Sequence, residues 1–231
     1  MKGQTSEEKK QAQAEALLAR KELKRKRIML LYIQCTEQLL REEGIQNLSI
    51  RRIADVTGYS SGTLYSYFED LEELILYASF KFRKEYLKRV AKEITDDMTS
   101  LEQYRKIYQI FNEYSFRDPE IYMNMYFGKH SERIKTVMKE YYLLFPDEFV
   151  APTELIRSLL LQGNLIDCDK LTTGRLARDG FIRAENADQV AEVLVRLQET
   201  FIYDLAVNPR KDLKEQSEAF MRLFDYVISV S

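Results

Sequence analysis

Side chains that could hydrogen-bond to a nucleic acid are concentrated in one short stretch of the chain. Residues 49–68 read SIRRIADVTGYSSGTLYSYF. Leu64 and Phe68 lie four positions apart, so on a helix both would face inward. The same helix would leave small polar and phenolic positions on its outer face, namely Ser61, Gly62, Thr63, Tyr65 and Tyr67. Groups of this size and polarity suit the groove of a duplex.

Two short helices joined by a tight turn are needed to present that surface. Ser49 is a suitable N-cap for the first helix, whose apolar residues follow at helical spacing up to Gly58. Ala54 is small enough for a second helix to cross closely, and Gly58 can adopt the left-handed conformation of the turn. Ser60 can cap the second helix. The pattern predicts a helix-turn-helix.

The sequence of this segment resembles the DNA-binding segment of TetR-family transcriptional regulators. The resemblance lies in IADVTGYSSGTLYSYF and the EDLEELI that follows it. The resemblance covers roughly residues 24–80. It implies an all-helical, homodimeric repressor that releases a double-stranded DNA operator when a small molecule binds its C-terminal domain. An activator, or a DNA-binding protein regulated by a partner without a small-molecule effector, is the alternative.

On this interpretation, the expected DNA-binding residues are Ser49, Arg51, Ser60, Ser61, Gly62, Thr63, Tyr65 and Tyr67. Ser61 and Thr63 are the better candidates for base contacts, since a single phenol hydroxyl cannot make a bidentate base-edge pair and suits phosphate instead. Packing of Tyr65 against Tyr32 or the first helix is the alternative for that side chain. A symmetric dimer would read a palindromic operator.

One position departs from the family pattern. A lysine that contacts phosphate usually stands three residues after the phenylalanine, and here the residue is Leu71. Either that contact is lost, or Arg51, Arg52 or the basic stretch 24–27 replaces it. Residues 1–90 carry 17 Lys and Arg against 13 Asp and Glu, whereas the remainder carries 18 against 24, so positive charge lies on the expected DNA-binding side. A basic stretch is equally typical of a solvated helix end.

The composition favours helices, because 231 residues contain only 8 glycines and 4 prolines. We expect an all-α fold in which a three-helix helix-turn-helix domain is joined by a connecting helix to a ligand-binding and dimerisation domain. The expected boundaries are an N-terminal extension at 1–22, the DNA-binding domain at 23–70, the connecting helix at 71–94 and the sensor at 95–231. No apolar stretch approaches the ~20 residues that cross a bilayer, so no membrane partner and a cytoplasmic location are expected.

Aromatic and methionine residues crowd the stretch 101–145. Most of them should be core, but such side chains also line adaptable apolar pockets. The candidate ligand-binding residues are Tyr104, Tyr108, Phe111, Met123, Tyr126, Phe127 and His130. They favour a hydrophobic or aromatic effector. The later segment 167–180 is expected to be a connection between helices, and it lacks the spacing of a calcium loop.

Two amphipathic segments, 188–207 and 211–230, predict a helical hairpin. The apolar stripe of the first comprises Val190, Val193, Leu194, Leu197, Phe201 and Leu205. Against a second copy the hairpin would form a four-helix dimer interface, unless the stripes cover only their own core.

An enzyme is disfavoured, since the single histidine, His130, has no identifiable nucleophile or metal-ligand partner. Cys35 and Cys168 make no metal-ligand spacing and are expected to be free thiols. We therefore predict no catalytic residues, no metal and no cofactor.

Overall fold

The computed structural model describes residues 6–148 and 153–231, which form eleven α-helices and, within those ranges, no β-strand. The all-α prediction is confirmed. Contacts divide the chain into two compact units, Met1–Leu74 and Ile75–Ser231. Of the expected extension, residues 1–5 lie outside the described part. None of the described helices combines the length and apolar character that crossing a bilayer requires.

The first unit contains helices α1 Ser6–Glu43, α2 Ile50–Thr57 and α3 Ser61–Leu64. The expected extension and first helix are one continuous helix of 38 residues. Its second half packs into the core through Ile28, Tyr32, Ile33, Leu39 and Leu40, whereas residues 10–26 are exposed. Gly44, with φ of +75°, ends the helix, and a 3₁₀ turn at Ile45–Asn47 leads towards α2.

Helix α4, Leu71–Glu93, begins in the first unit and continues into the second. The second unit then contains α5 Ser100–Arg117, α6 Pro119–Phe127, α7 Ile134–Leu144, α8 Glu154–Leu161, α9 Leu165–Arg178, α10 Ala187–Val207 and α11 Leu213–Val230. Short 3₁₀ turns lie at Ser131–Arg133, Pro146–Glu148 and Ala184–Asn186. Helix α10 is central, since it packs against α5, α6, α9 and α11.

The expectation that 167–180 forms a connection is wrong, because nearly all of this segment lies in α9. The Asn164 side chain caps the helix by accepting from the Asp167 backbone N–H at 2.8 Å. Thr172 and Thr173, whose hydroxyls can compete with a helix, instead donate to carbonyls within α9 and are buried. Tertiary burial therefore outweighs a weak local preference. The helix ends before Gly180, which has φ of +78°.

The hairpin of α10 and α11 divides its apolar residues between two faces. Val190, Leu194 and Leu205 of the predicted stripe are buried within the unit, whereas Val193 is 45% exposed. A second set of large apolar side chains faces outward, comprising Val193, Tyr203, Val207, Leu223, Tyr226 and Val230. We call this set the outer apolar stripe. The predicted stripe thus mainly covers the unit's own core.

Candidate nucleic-acid interface and ligand cavity

Helix α2 is defined by local hydrogen bonds at both ends. The Ser49 hydroxyl accepts from the Arg52 backbone N–H at 3.1 Å. At the other end, the Gly58 N–H donates to the Ala54 carbonyl at 2.9 Å, with Gly58 in the left-handed region at φ of +72°. Ile53 and Ala54 are buried. The small buried alanine and the left-handed glycine produce the sharp turn between α2 and α3.

Helix α3 is short and is held by its own cap. The Ser60 hydroxyl accepts from the Thr63 N–H at 3.3 Å and lies 3.0 Å from the Thr63 hydroxyl. Leu64 and Phe68 are buried, at 0% and 2% exposure, which anchors the segment to the first unit. Ser61, Gly62 and Tyr65 are exposed, whereas Thr63 and Tyr67 are half-buried. The hydroxyl-bearing surface is therefore accessible.

An aromatic cluster around Tyr32 fixes the far end of this segment. The Tyr32 ring contacts the rings of Tyr59, Tyr67 and Phe68, with centroids 5.9, 6.3 and 6.1 Å away. Tyr65 is 56% exposed. The packing against Tyr32 that the sequence suggested for Tyr65 is thus made by Tyr67 and Tyr59.

Arg25 of α1 also contacts the residues that follow α3. Its guanidinium carbon lies 5.5 Å from the centre of the Tyr67 ring, and its Nη1 donates to the Ser66 carbonyl at 3.4 Å. A cation is favourable at that carbonyl, which lies just beyond the C-terminal end of α3. One residue of the basic stretch 24–27 thus helps to position the hydroxyl-bearing surface.

The two arginines of α2 differ in their availability. Arg52 forms an ion pair with Glu43, and its Nε lies 3.1 and 3.2 Å from the two carboxylate oxygens. Hydrogen bonding from Arg52 lowers the pKa of the Glu43 carboxyl. Arg51 is exposed, and no ion pair to it occurs among the described residues. Arg51 is therefore the arginine of α2 whose charge is available to a phosphate.

Leu71 is the first residue of α4 and is half-buried. The start of this helix is capped by acids: Asp70 Oδ1 accepts from the Glu73 N–H at 2.8 Å, and Glu73 Oε2 accepts from the Glu69 N–H at 2.6 Å. Positive charge is instead found at residues 20–27, where six Lys and Arg accompany one Glu. All six cations are exposed and have no ion pair among the described residues.

The second unit contains a partly open cavity of about 50 Å³. Its walls come from α4, α5, α8, α9 and α10. The lining residues are Tyr86, Ile107, Tyr108, Phe111, Leu159, Leu165, Cys168, Asp169, Thr172, Val195 and Gln198. Leu165 and Val195 also line a neighbouring surface groove of about 440 Å³ together with Tyr126 and Phe127. The cavity and the groove therefore share part of their walls.

Asp169 is the one carboxyl group in the lining. Tyr104 Oη donates to Asp169 Oδ2 at 2.6 Å. Burial raises the pKa of Asp169 to about 7, although hydrogen bonds from Tyr104 and Tyr108 act in the opposite direction. Burial also raises the pKa of both phenols well above 10. Asp169 is thus the group of this trio that titrates near neutrality.

The candidate ligand residues occupy several places. Tyr108 and Phe111 line the cavity, Tyr104 lies behind Asp169, and Tyr126 and Phe127 line the groove. Met123 is half-buried on α6 and His130 is buried after it, and neither belongs to the cavity lining.

Sequence reasoning missed the polar lining residues Asp169 and Gln198. Gln198 carried a usable signal, since it is a polar residue on the otherwise apolar face of α10 that includes Leu194 and Leu205. Asp169 has no such signal in the sequence, because the sequence of segment 167–180 does not predict a helix.

The capped α2, the left-handed turn and the accessible α3 form a helix-turn-helix. Residues 33–78 match the family model described as bacterial regulatory proteins, tetR family. This part of the chain is therefore similar to the DNA-binding segment of TetR-family transcriptional regulators.

Two curated relatives are HTH-type transcriptional regulators. The chain is 24% identical to one from Haemophilus influenzae over 39% of its own length, and 34% identical to one from Staphylococcus aureus over 29%. These matches span 48% and 36% of the respective relatives. Among solved structures, the TetR-family repressor FadR of Thermus thermophilus, in complex with lauroyl-CoA, is similar with a TM-score of 0.57 and 17% identity, over 85% of this chain and 92% of that one. This likeness concerns the fold.

Proposed function

We propose that the protein is a homodimeric, cytoplasmic repressor that binds a palindromic operator and is released from it by a small effector with an apolar body. The observation that carries the DNA-binding part is the accessible surface of α3, presented by the left-handed turn at Gly58. In this proposal Ser61 and Thr63 reach base edges, while Ser49, Arg51, Ser60, Gly62, Tyr65 and Tyr67 contact or approach the sugar-phosphate backbone.

The outer apolar stripe supports the homodimer. Tyr226 is 65% exposed, Val230 57% and Tyr203 58%, although all three lie on helices whose other faces are buried. A second copy of the same hairpin would cover this stripe about a twofold axis. Two recognition segments would then be fixed about one duplex turn apart, roughly 34–36 Å, or a multiple of it.

The aromatic cavity and groove support an effector with an apolar body. The structural relative FadR was solved with lauroyl-CoA, whose acyl chain is apolar, which is consistent with such a ligand class. Ligand binding would release the operator if the ligand binds the DNA-free arrangement of the dimer more tightly than the DNA-bound one.

DNA binding is tested by selecting duplexes from a random library with the purified protein and measuring fluorescence anisotropy on the selected sequence. We expect a palindromic consensus and salt-dependent binding. The double variant Thr63→Ala, Tyr65→Ala should weaken specific binding at least about tenfold, since it removes the Thr63 base contact, where good base contacts are worth ~1–3 kcal/mol, together with the Tyr65 backbone contact. The Ser60 cap on the Thr63 N–H survives this change, so the fold should too.

Gln34→Ala, an exposed polar-to-alanine change on α1, is the matched control and should leave affinity unchanged. Equal affinity for selected and unrelated DNA, or unchanged affinity in the double variant, would contradict the assignment of α3. A reporter gene placed behind the selected operator should be expressed less in the presence of the protein, and increased expression would mean activation.

A further inference from the structure

Two polar residues of the cavity lining, Gln198 and Asp169, each carry a hydrogen-bond acceptor. Gln198 is 1% exposed; its Nε2 donates to Ser115 Oγ at 3.3 Å, while its Oε1 is buried and has no hydrogen-bond partner in the described structure. Asp169 contributes carboxylate oxygens. A buried acceptor without a donor is destabilising, so this cavity suits a ligand that donates hydrogen bonds.

The Asp169 carboxylate also lacks a cation. Its oxygens accept hydrogen bonds from the Tyr104 and Tyr108 phenols, and no lysine, arginine or histidine among the described residues forms an ion pair with it. Buried charges in proteins are normally paired. A bound cation would supply the missing partner.

The remaining walls suit a cation with an apolar body. Tyr86, Tyr108 and Phe111 line the cavity, and aromatic faces attract organic cations. We propose that the cavity binds the ammonium group of a small primary alkyl- or arylalkylamine, with Asp169 and Gln198 as the acceptors. The inference rests on the proposed function, because it names the chemical class of the effector.

The sizes of the cavity and the groove determine where the ammonium group and the apolar body of such a ligand lie. A cavity of about 50 Å³ accommodates an ammonium group and a few carbon atoms, since one water needs about 10–15 Å³ of cavity volume measured in the same way. The apolar body would pass Leu165 and Val195, which line both spaces, into the groove beside Tyr126 and Phe127.

A nearby buried cation defines the competing ligand class. Arg83 is 4% exposed, and no carboxylate forms an ion pair with it in the described part of the chain. Its guanidinium, however, donates to Tyr126 Oη, Met138 Sδ and the Leu159 carbonyl, and Arg83 does not line the cavity. These contacts favour a packing role for Arg83, and an anionic ligand is an outcome that the experiment can reveal.

The experiment compares three ligands of equal length on the full chain by isothermal titration calorimetry at pH 8: hexylammonium, 1-hexanol and hexanoate. We expect hexylammonium to bind at least about tenfold more tightly than 1-hexanol, because a charged hydrogen bond to a buried carboxylate is worth more than a neutral one. Equal affinities, or tighter binding of hexanoate, would overturn the inference. This comparison requires no variant.

Substitutions then locate the ammonium group. Asp169→Asn should lower hexylammonium affinity at least about tenfold and leave 1-hexanol affinity within about twofold, since the amide keeps the shape of the carboxylate but not its charge. Gln198→Leu should weaken hexylammonium binding severalfold. Asp179→Asn, at the exposed end of the same helix, is the charge-matched control and should change nothing. Loss of affinity in the control to the same extent as in Asp169→Asn would contradict the assignment.

Operator binding separates this inference from the proposed function. Anisotropy on the selected duplex should fall when hexylammonium is added to the wild-type protein but not to Asp169→Asn. If the operator is bound but hexylammonium neither binds nor releases it, the ammonium site is refuted and the DNA-binding function stands. If no specific duplex is bound in any condition, while calorimetry still shows hexylammonium binding that depends on Asp169, the function is refuted and the site stands.

Discussion

Tyr104 donates its hydroxyl hydrogen to Asp169 Oδ2 across 2.6 Å in the interior of the second unit. The pair joins α5 to α9, two helices that are remote in the chain. Because burial dominates, the Asp169 pKa rises from 3.8 to about 7 despite this hydrogen bond. Ionising Asp169 therefore costs more free energy in the folded protein than in the unfolded chain.

This shift predicts how stability depends on pH. Because the Asp169 pKa is raised on folding, the protonated carboxyl contributes stability to the folded protein below pH ~4. That contribution is lost as the pH rises towards 7. Relative to Asp169→Asn, the wild-type protein should lose about 2–3 kcal/mol of unfolding free energy between pH 5 and pH 8. Urea unfolding of both proteins at several pH values measures the difference. A difference that is constant with pH would show that Asp169 does not titrate in this range.

The left-handed turn between α2 and α3 predicts the effect of adding one methyl group. Gly58→Ala meets no atom within 4 Å, so the cost is confined to the backbone conformation at φ of +72°. We expect a loss of about 1 kcal/mol in stability of the first unit. Hydrogen exchange of the α2 backbone amides measures this loss of stability. Gly174→Ala, in open space within a helix, is the control and should be neutral or stabilising by up to about 1 kcal/mol. Equal effects of the two changes would contradict the conformational explanation.

The exposed cations of α1 predict a salt effect on DNA binding. Changing Lys24, Lys26 and Arg27 to Gln should weaken binding to all duplexes alike and reduce the slope of log affinity against log salt by up to about 3, since each phosphate contact contributes roughly 1. Arg25 is kept because it contacts Tyr67 and the Ser66 carbonyl. Anisotropy titrations at several salt concentrations measure the slope.

The matched control removes the same charge from the second unit. Lys135, Lys139 and Lys170 are exposed there, and their change to Gln should leave the salt slope unaltered. An equal reduction of the slope by both triple variants would indicate a general effect of net charge and would contradict specific phosphate contacts by α1.

The outer apolar stripe predicts the consequence of placing charge on it. Leu223→Glu combined with Tyr226→Glu should convert a dimer of twice 27.4 kDa into a monomer, since buried unpaired carboxylates would oppose association. Light scattering after size-exclusion chromatography gives the mass. Leu143→Glu, at a leucine 71% exposed on α7, is the control and should leave the mass unchanged. A wild-type monomer would refute the proposed interface.

The helix-turn-helix could be predicted from the sequence because its determinants are local. Ser49, Gly58 and Ser60 act on backbone groups within four residues, so their spacing alone indicates the helix ends. Leu64 and Phe68 follow the same rule, and their burial was expected. The exposure of Ser61, Gly62 and Tyr65 likewise follows from the helical period.

The ligand cavity could not be predicted in the same way, because its polar residues meet only after the helices pack. Asp169 and Gln198 lie on α9 and α10, and neither has a local pattern that reports the other. The helical state of α9 itself depends on burial of Thr172 and Thr173, a tertiary effect that outweighs local preference. The sequence also does not distinguish the buried apolar stripe of the α10–α11 hairpin from the outer apolar stripe, because both have helical spacing.

If the proposed dimer binds DNA with the exposed half of α1 along the duplex, that half enlarges the stretch of DNA that is shielded from nucleases. Seventeen residues at ~1.5 Å each extend about 26 Å, which corresponds to roughly seven or eight base pairs. Because the buried half already forms helix, the exposed half is added without a fresh nucleation cost. A cleavage footprint should therefore run past the recognised half-sites into flanking duplex whose base sequence is immaterial.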